Sequence, residues 1–388
     1  MPAARRKSHV RVELTGRIRK SLVIRATHRP VERVVLVGGT RPEFIKLHPL
    51  AVALAEARIP TLLLTTNQHH SAMMRDTFLE QLQWPCPVES LSVKGTNAPF
   101  LIADVMTQLP ERLAATDMVI VEGDTNSVLA ASLVANKRGL MLGHIEAGLR
   151  SYDLRMPEEH NRRLCDHISD LLFCPTAHDY EHLRTEDCLG EAHVVGNTVL
   201  DAVRMNFART SPSPPIVDEY VLVTLHRQEN VDDERFLHHI VDFLQRQPSS
   251  SVFPVHPRTE DRLRAAGLWQ RIAGNSKIHM VPPMDYLSFL SAMRYAHVII
   301  TDSGGVQEEA TAPEIRRPVI VLRRSTERVP AIESRFSVLS DSASPNLDSL
   351  VADLSWFEPT PLSPFGDGHA AQRIAAILGR TVRSAATA

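Results

Sequence analysis

Two glycine-containing turns carry residue types that bind phosphate groups. In the first, Gly38 and Gly39 follow the apolar run VVLV, and Arg41 and Lys46 stand near the start of a predicted helix. Glycines let a backbone approach a ligand closely. A helix N-terminus offers free N–H groups, and two cations add full positive charges. This pattern predicts diphosphate binding; a surface helix with ordinary cations is the alternative.

The second turn lies in HVIITDSGGVQEEA, where Ser303, Gly304 and Gly305 join an apolar run to a predicted helix. Backbone N–H groups and the Ser303 hydroxyl are suited to hold a diphosphate. Glu309, one turn further on, is placed to accept hydrogen bonds from ribose hydroxyls. The alternative is that Ser303 caps the helix and the glutamates complement its dipole.

Carboxyl groups follow apolar runs in the first half of the chain. Asp124 ends VIVEGD, Glu146 ends LGHIE, and Glu158 stands in the first turn of a helix that Pro157 opens. Side chains at the carboxyl ends of parallel strands line the ligand crevice of an open α/β sheet. Crowding and desolvation in such a crevice make the pKa values of neighbouring carboxyl groups differ, so that one can act as an acid and another as a base. Taken singly, each acid is equally suited to capping a helix or pairing with a nearby arginine.

His226 ends YVLVTLH, the first apolar run of the second half. An imidazole in that position can donate a hydrogen bond to a phosphate oxygen or to a leaving group. A purely structural histidine is the alternative.

The elements that position these residues alternate along the chain. Short β-rich runs and longer helical patterns follow one another from Val34 onward, which predicts βαβ units and parallel sheets. The proline-rich segment ARTSPSPPIVDE divides the series into two Rossmann-like halves with a cleft between them. We also predict a helix from Gly366 to Leu378, followed by a frayed tail. The predicted parts are a basic, disordered extension (1–32), an N-terminal domain (33–207), a linker (208–219), a C-terminal domain (220–370), and a terminal helix with its tail (371–388).

Composition limits the class of protein. The 388 residues carry a net charge of −2, with 43% hydrophobic and 23% charged residues, as in a two-domain globular protein. This charge gives no basic field for nucleic acid or anionic lipid. Four cysteines without metal-ligand spacing predict reduced thiols and no metal site. No segment reaches membrane-spanning length, so we expect a cytoplasmic protein.

Six motifs in order resemble the UDP-N-acetylglucosamine 2-epimerases. They are GGTRPEFIKLHPL, VEGDTNSVLAASL, GHIEAGLRSYDLRMPEEHNRR, VVGNTVLDAV, VTLHRQENV and TDSGGVQEEA, spread from about Val34 to about Glu333. The resemblance implies an α/β, glycosyltransferase-B-like fold, usually dimeric, with a UDP-sugar bound between two Rossmann-like domains. It implies inversion at C2 of UDP-GlcNAc to give UDP-ManNAc. UDP leaves by anti elimination, a 2-acetamidoglucal forms, and UDP adds back without any cofactor.

The resemblance also implies roles for individual residues. Asp124, Glu146 and Glu158 match the acid/base and sugar-side carboxylates, and His226 joins the catalytic set. Which acid removes the proton and which returns one stays open. Residues implied to bind UDP or substrate are Arg41, Lys46, Arg162, His226, Ser303, Gly304, Gly305, Glu309 and Arg328.

Three other functions compete with this interpretation. Hydrolysing relatives release ManNAc and UDP and usually carry a GGE-like sequence where this chain has IEAG. Gln68 and His69 match a region that holds a second, activating UDP-GlcNAc in non-hydrolysing members, which favours the non-hydrolysing type. The remaining alternatives are a glycosyltransferase of the same fold and a protein that binds UDP-sugars without turnover.

Overall fold

The structure is a computed structural model, and it describes residues 31–66, 79, 82–95, 97–211 and 213–386. The predictions for residues 1–30 and for Gln68 and His69 lie outside the described residues. Among the described residues, no helix is both long and apolar enough to cross a lipid bilayer.

Seven parallel strands form the sheet of the first domain. In chain order they are β1 (Arg33–Gly38), β2 (Thr61–Thr65), β3 (Val88–Ser90), β4 (Asp117–Glu122), β5 (Met141–Ile145), β6 (Leu171–Cys174) and β7 (Glu191–Val194). Their order across the sheet is β3-β2-β1-β4-β5-β6-β7. Helices of the described chain connect them: α1 (Arg41–Glu56), α2 (Ala98–Gln108), α3 (Asn126–Lys137), α4 (Pro157–Ile168), α5 (Ala177–Thr185) and α6 (Thr198–Phe207).

Six parallel strands form the second sheet. They are β8 (Tyr220–Thr224), β9 (Ser250–Pro254), β10 (Ile278–Val281), β11 (Val298–Thr301), β12 (Val319–Leu322) and β13 (Ser337–Ser340), and they lie in the order β10-β9-β8-β11-β12-β13. The accompanying helices are α7 (Gln228–Val231), α8 (Glu234–Arg246), α9 (Pro257–Ala265), α10 (Trp269–Ala273), α11 (Tyr286–Tyr295), α12 (Gly304–Glu309), α13 (Val329–Glu333) and α14 (Leu347–Ala352).

Both sheets therefore have the doubly wound order predicted for Rossmann-like domains, and the predicted fold class is confirmed. The strand order reverses between β1 and β4 in the first sheet and between β8 and β11 in the second. A crevice opens at the carboxyl ends of strands on either side of such a reversal. The two glycine turns follow β1 and β11, so each stands at the switch point of its own sheet.

Helix α1 shows how the local sequence pattern determines the buried face of a helix and its first turn. Phe44, Leu47, Ala51 and Leu54 recur at helical spacing, and all four are buried in the core, as that spacing indicates. Glu43 accepts hydrogen bonds from the backbone N–H groups that precede the helix, which completes a capping box with Thr40.

The last helix differs from its prediction at both ends. It spans Ala370–Ala386 rather than Gly366 to Leu378. Gly366 and Gly368 adopt left-handed backbone angles (φ of 111° and 76°), which a helix cannot include. This helix, α15, returns to the first domain, where the Asp201 carboxylate accepts hydrogen bonds from the N–H groups of Ala370 (3.1 Å) and Ala371 (3.0 Å).

One hydrophobic cluster runs through both domains and fixes the cleft walls. Val199 and Val203 of α6 belong to the same buried cluster as Tyr286 and Leu290 of α11 and Val306 of α12. Helix α6 of the first domain thus packs against the second domain beside the cleft.

Candidate active site

A cavity of about 1360 Å³ lies between the two domains at the carboxyl ends of their strands. It brings together every predicted site residue that the structure describes. These lining residues are Arg41, Lys46, Asp124, Glu146, Glu158, Arg162, His226, Ser303, Gly304, Gly305, Glu309 and Arg328.

Packing within the first domain leaves no room for side chains at the glycines of the first turn, and their approach to a ligand stays a prediction. A methyl group on Gly39 would lie 2.2 Å from the Thr66 hydroxyl oxygen and 2.7 Å from that of Ser127. A methyl group on Gly38 would meet Leu47 at 3.1 Å. The cavity wall begins with the next residues, and the Arg41 guanidinium crosses the cleft to donate a hydrogen bond to the Met284 carbonyl at 3.1 Å.

The Lys46 ammonium lies among carboxylates. It forms a close ion pair with Glu146 and contacts Glu122 at 3.3 Å and Glu308 at 3.5 Å. Burial alone would lower the pKa of Lys46, but the three surrounding carboxylates raise it well above its usual value. Lys46 therefore stays charged and holds acids from both domains.

Arg328 is the second cation that joins the domains. Its guanidinium donates to Glu308 at 2.7 Å and to Glu327 at 2.9 Å, and it lies 3.5 Å from Glu146. Arg323 contacts the same Glu327 at 2.9 Å. Together with the contacts of Lys46, these pairs define what we call the buried ionic cluster: Lys46, Glu122, Glu146, Glu308, Arg323, Glu327 and Arg328.

The carboxyl groups of this cluster differ sharply in pKa. Burial raises the pKa of Glu122 well above its ordinary value and that of Glu308 to about 7, despite the nearby cations. For Glu146, burial is outweighed by the two cations and by an amide N–H of Asn197 at 2.8 Å, so its pKa falls to about 2. Glu327, between two arginines, has a lowered pKa. Neighbouring acids with separated pKa values are suited to acid/base chemistry.

The backbone at Glu146 is also unusual. Its φ is 65°, in the left-handed region that non-glycine residues seldom enter. Such conformations persist where the surrounding contacts enforce them, and they occur often in functional sites. Here the contacts to Lys46, Arg328 and Asn197 hold the carboxylate at the cavity wall.

Asp124 and the two glutamates of α4 divide into different roles. Arg162 forms a close ion pair with Asp124 and donates to Glu159 at 2.8 Å. Glu159 is fully buried and accepts the Ser151 N–H at 2.9 Å, so it holds the loop before the helix. Glu158 instead is exposed at the cavity wall.

The second glycine turn opens into the cavity. The Ser303 hydroxyl does not accept a hydrogen bond from the first turn of α12, so helix capping leaves it available. A methyl group on Gly304 would lie 3.0 Å from Glu327, whereas one on Gly305 would meet nothing within 4 Å. The space beside Gly305 is the cavity itself.

An acid behind the turn orients His226. Asp302 is fully buried and lies 3.2 Å from the imidazole Nδ1 of His226. It also accepts hydrogen bonds from the N–H of Arg227 (3.0 Å) and the amide of Asn230 (3.2 Å). Burial opposes ionisation, but the contact with His226 and these donors lower the pKa of Asp302. The imidazole is thus held by a fixed anion while its side chain remains 43% exposed.

Glu309 lies against Arg41 and Tyr286 at the cavity wall. Burial raises its pKa to about 7, and the nearby Lys46 and Arg41 charges only partly oppose the rise. Its carboxyl group therefore changes charge near neutral pH.

Several residues that complete the site had no strong local signal. Asn197 stands in the quoted motif VVGNTVLDAV, and Glu308 adjoins Glu309. Nothing in either pattern indicates that Asn197 contacts Glu146, or that Glu308 contacts Lys46 across the cleft. The residues missed by sequence reasoning are Asn197, Asp302, Glu308, Arg323 and Glu327.

One group of metal-ligand side chains occurs among the described residues, outside this cavity. It consists of His167, Glu186 and Cys188. The Glu186 carboxylate already accepts hydrogen bonds from Arg150 at 2.8 and 3.1 Å, and Arg163 contacts it at 3.1 Å. Two guanidinium groups make this a poor position for a further cation.

Known proteins similar to this chain are UDP-sugar 2-epimerases. Residues 53–379 match the family model for UDP-N-acetylglucosamine 2-epimerase. The UDP-N-acetylglucosamine 2-epimerase of Methanocaldococcus jannaschii is 38% identical over 365 residues, covering 89% of this chain and 98% of that protein. The UDP-2,3-diacetamido-2,3-dideoxy-D-glucuronate 2-epimerase of Pseudomonas aeruginosa is 33% identical, covering 90% and 99%.

Two solved structures extend the comparison to three dimensions. The crystal structure of the M. jannaschii UDP-GlcNAc 2-epimerase in complex with UDP-GlcNAc and UDP superposes with a TM-score of 0.80 at 37% identity, covering 90% of this chain and 99% of that one. The Neisseria meningitidis UDP-GlcNAc 2-epimerase bound to UDP-GlcNAc gives 0.79 at 29% identity, covering 90% and 100%.

Proposed function

The chain belongs to the UDP-N-acetylglucosamine 2-epimerase family, and on this premise we propose that it interconverts UDP-GlcNAc and UDP-ManNAc without releasing free sugar. The observation that carries the proposal is the convergence of two switch-point turns and a set of carboxylates on one interdomain cavity. One wall is suited to a diphosphate and the other to a sugar ring that must lose and regain a proton.

The chemistry explains why both walls are needed. The C2 hydrogen of the sugar has no adjacent carbonyl, so departure of UDP must develop positive charge at C1 before C2 becomes acidic. Arg41, His226 and the N–H groups at Ser303 to Gly305 stabilise the leaving diphosphate. Glu309 accepts hydrogen bonds from the ribose.

Carboxylates act on the sugar side in this proposal. As the C2–H bond breaks, its electron pair forms the C1=C2 double bond, the C1–O bond electrons leave with UDP, and a carboxylate takes the proton. The return step protonates C2 on the opposite face while the UDP oxygen rebuilds the bond to C1. Asp124, Glu146 and Glu158 are the candidate proton carriers. Lys46 and Arg328 keep Glu146 ionised, because both lie against its carboxylate.

Proton NMR of the protein with UDP-GlcNAc in D2O tests the function. We expect deuterium at C2 of both UDP-GlcNAc and UDP-ManNAc. Free ManNAc and UDP would assign a hydrolysing enzyme, and absence of exchange without an acceptor would favour a glycosyltransferase or a binding protein. The same assay with UDP-2,3-diacetamido-2,3-dideoxy-D-glucuronate tests the activity for which the P. aeruginosa relative is named.

We further propose that the enzyme is a cytoplasmic homodimer. Helices α2 and α4 flank α3 on the outside of the first domain and expose Phe100 (65%), Met106 and Leu164 (52%). A contiguous patch of exposed apolar side chains commonly marks a surface that a partner covers. Light scattering should give twice the mass of the chain, and Phe100→Glu should shift it toward the monomer. Cell fractionation tests the location.

A further inference from the structure

The buried ionic cluster contains one more carboxyl group than cations. No member of the cluster is more than 6% exposed. An uncompensated buried charge is costly, and a buried acid commonly avoids that cost by taking up a proton. Four carboxyl groups and three cations reach neutrality when one carboxyl group is protonated.

Glu122 has the weakest set of partners among the four acids. Glu327 contacts two arginines, Glu308 accepts a 2.7 Å hydrogen bond from Arg328, and Glu146 contacts two cations and an amide. Among the described residues, Glu122 contacts a single cation, Lys46, at 3.3 Å. The geometry therefore assigns the proton to Glu122.

The charged groups around Glu122 come from several elements. Lys46 and Glu43 face it from helix α1, and Glu146 faces it from the position directly after β5. Glu308 of α12 and Arg328 beyond β12 reach the same Lys46 and Glu146 from the second domain. Two of the three nearest groups are acids, so an ionised Glu122 would face net repulsion.

We propose that Glu122 is a positioning residue that holds a proton and thereby leaves the Lys46 ammonium to Glu146. This inference rests on the proposed function, because it assigns a task to the acidic wall of the same cavity. Burial raises the pKa of Glu122 well above its ordinary value, in agreement with a neutral carboxyl group. When Glu122 ionises, it competes for Lys46, gives the cluster a negative charge and displaces the Glu146 carboxylate from its working position.

Unfolding of two matched variants tests where the proton resides. Glu122→Gln replaces a neutral carboxyl group by a neutral group of the same shape, so we expect Tm at neutral pH to change by less than about 2 °C. Glu308→Gln removes the carboxyl group that accepts the 2.7 Å hydrogen bond from Arg328 and that contacts Lys46, so it should lower Tm by at least about 5 °C. A loss in E122Q as large as that in E308Q, or failure of E122Q to fold, would overturn the assignment.

The pH dependence gives a second readout. A carboxyl group whose pKa is raised in the folded state destabilises that state once the pH exceeds its unfolded pKa. The Tm of wild type should therefore fall relative to that of E122Q as the pH rises above about 5. The ratio of kcat of E122Q to that of wild type should rise over the same range by about tenfold. If kcat of E122Q and kcat of wild type changed in parallel with pH, the positioning role would be contradicted. If neither protein turned over UDP-GlcNAc, the proposed function would fail while the unfolding measurements still decided the protonation of Glu122.

Discussion

The two walls of the cleft differ in the groups that they present to a ligand. The wall of the second domain presents backbone at Ser303 to Gly305 and an exposed imidazole, with open space beside Gly305. The wall of the first domain presents side chains whose charges are already paired, with Glu146 held by two cations. A diphosphate brings its own charge and needs only donors, whereas proton transfer at carbon needs charges that are fixed before the substrate arrives.

We expect the largest effect when a carboxylate is removed from the wall of the first domain, because turnover should then fall while UDP binding is retained. Glu146→Gln should lower kcat by roughly a thousandfold, because the amide cannot take a proton, while the Kd for UDP changes less than about threefold. Deuterium exchange at C2 and calorimetry measure the two quantities. Glu229→Gln, an exposed acid of the same cavity, is the matched control and should retain exchange. Unchanged turnover in E146Q would remove Glu146 from the chemistry.

The next effect concerns Arg41, the cation that we propose contacts the diphosphate. Arg41→Ala should weaken UDP binding by about tenfold to a hundredfold, since a charge-assisted contact to phosphate contributes roughly 1.5–3 kcal/mol. Arg324→Ala, also at the cavity but with a side chain 64% exposed, should change binding by less than about threefold. Calorimetry with UDP compares the two variants. Equal losses would mean that general positive charge, rather than the position of Arg41, attracts the ligand.

The same difference between the walls explains what the sequence could predict. Strand ends, helix faces and glycine turns are local features, so the buried face of α1 and the turns beside Arg41 and Ser303 follow from the pattern. The pairing of Lys46 with Glu308 joins two domains, and no local spacing encodes such a contact. The order of pKa values in the cluster depends on these distant partners, so it could not be predicted from any single motif.

Gly39 shows the limit of local reasoning most clearly, because a glycine pattern does not reveal what its missing side chain makes room for. Comparing it with Gly305 sharpens the contrast. Gly305→Ala should leave Tm within about 2 °C and weaken UDP binding by about tenfold, because its methyl group would point into the cavity. Gly39→Ala should lower Tm clearly, since the new carbon overlaps the Thr66 and Ser127 hydroxyls. Thermal unfolding measures Tm and calorimetry measures UDP affinity for both variants. Equal changes of Tm and of affinity in the two variants would contradict the different roles of the two glycines.

The smallest expected effect concerns Glu309, whose carboxylate we propose accepts hydrogen bonds from the ribose. Because its pKa is about 7, the ionised fraction grows from about a tenth to about nine tenths between pH 6 and pH 8. Affinity should therefore rise with pH by up to about ninefold. UDP-GlcNAc is the better probe, because the terminal phosphate of UDP itself titrates near pH 6, whereas the esterified diphosphate does not. Glu309→Gln should bind with an affinity that is flat across this range, and a rise that persists in this variant would assign the titration to another group of the cleft.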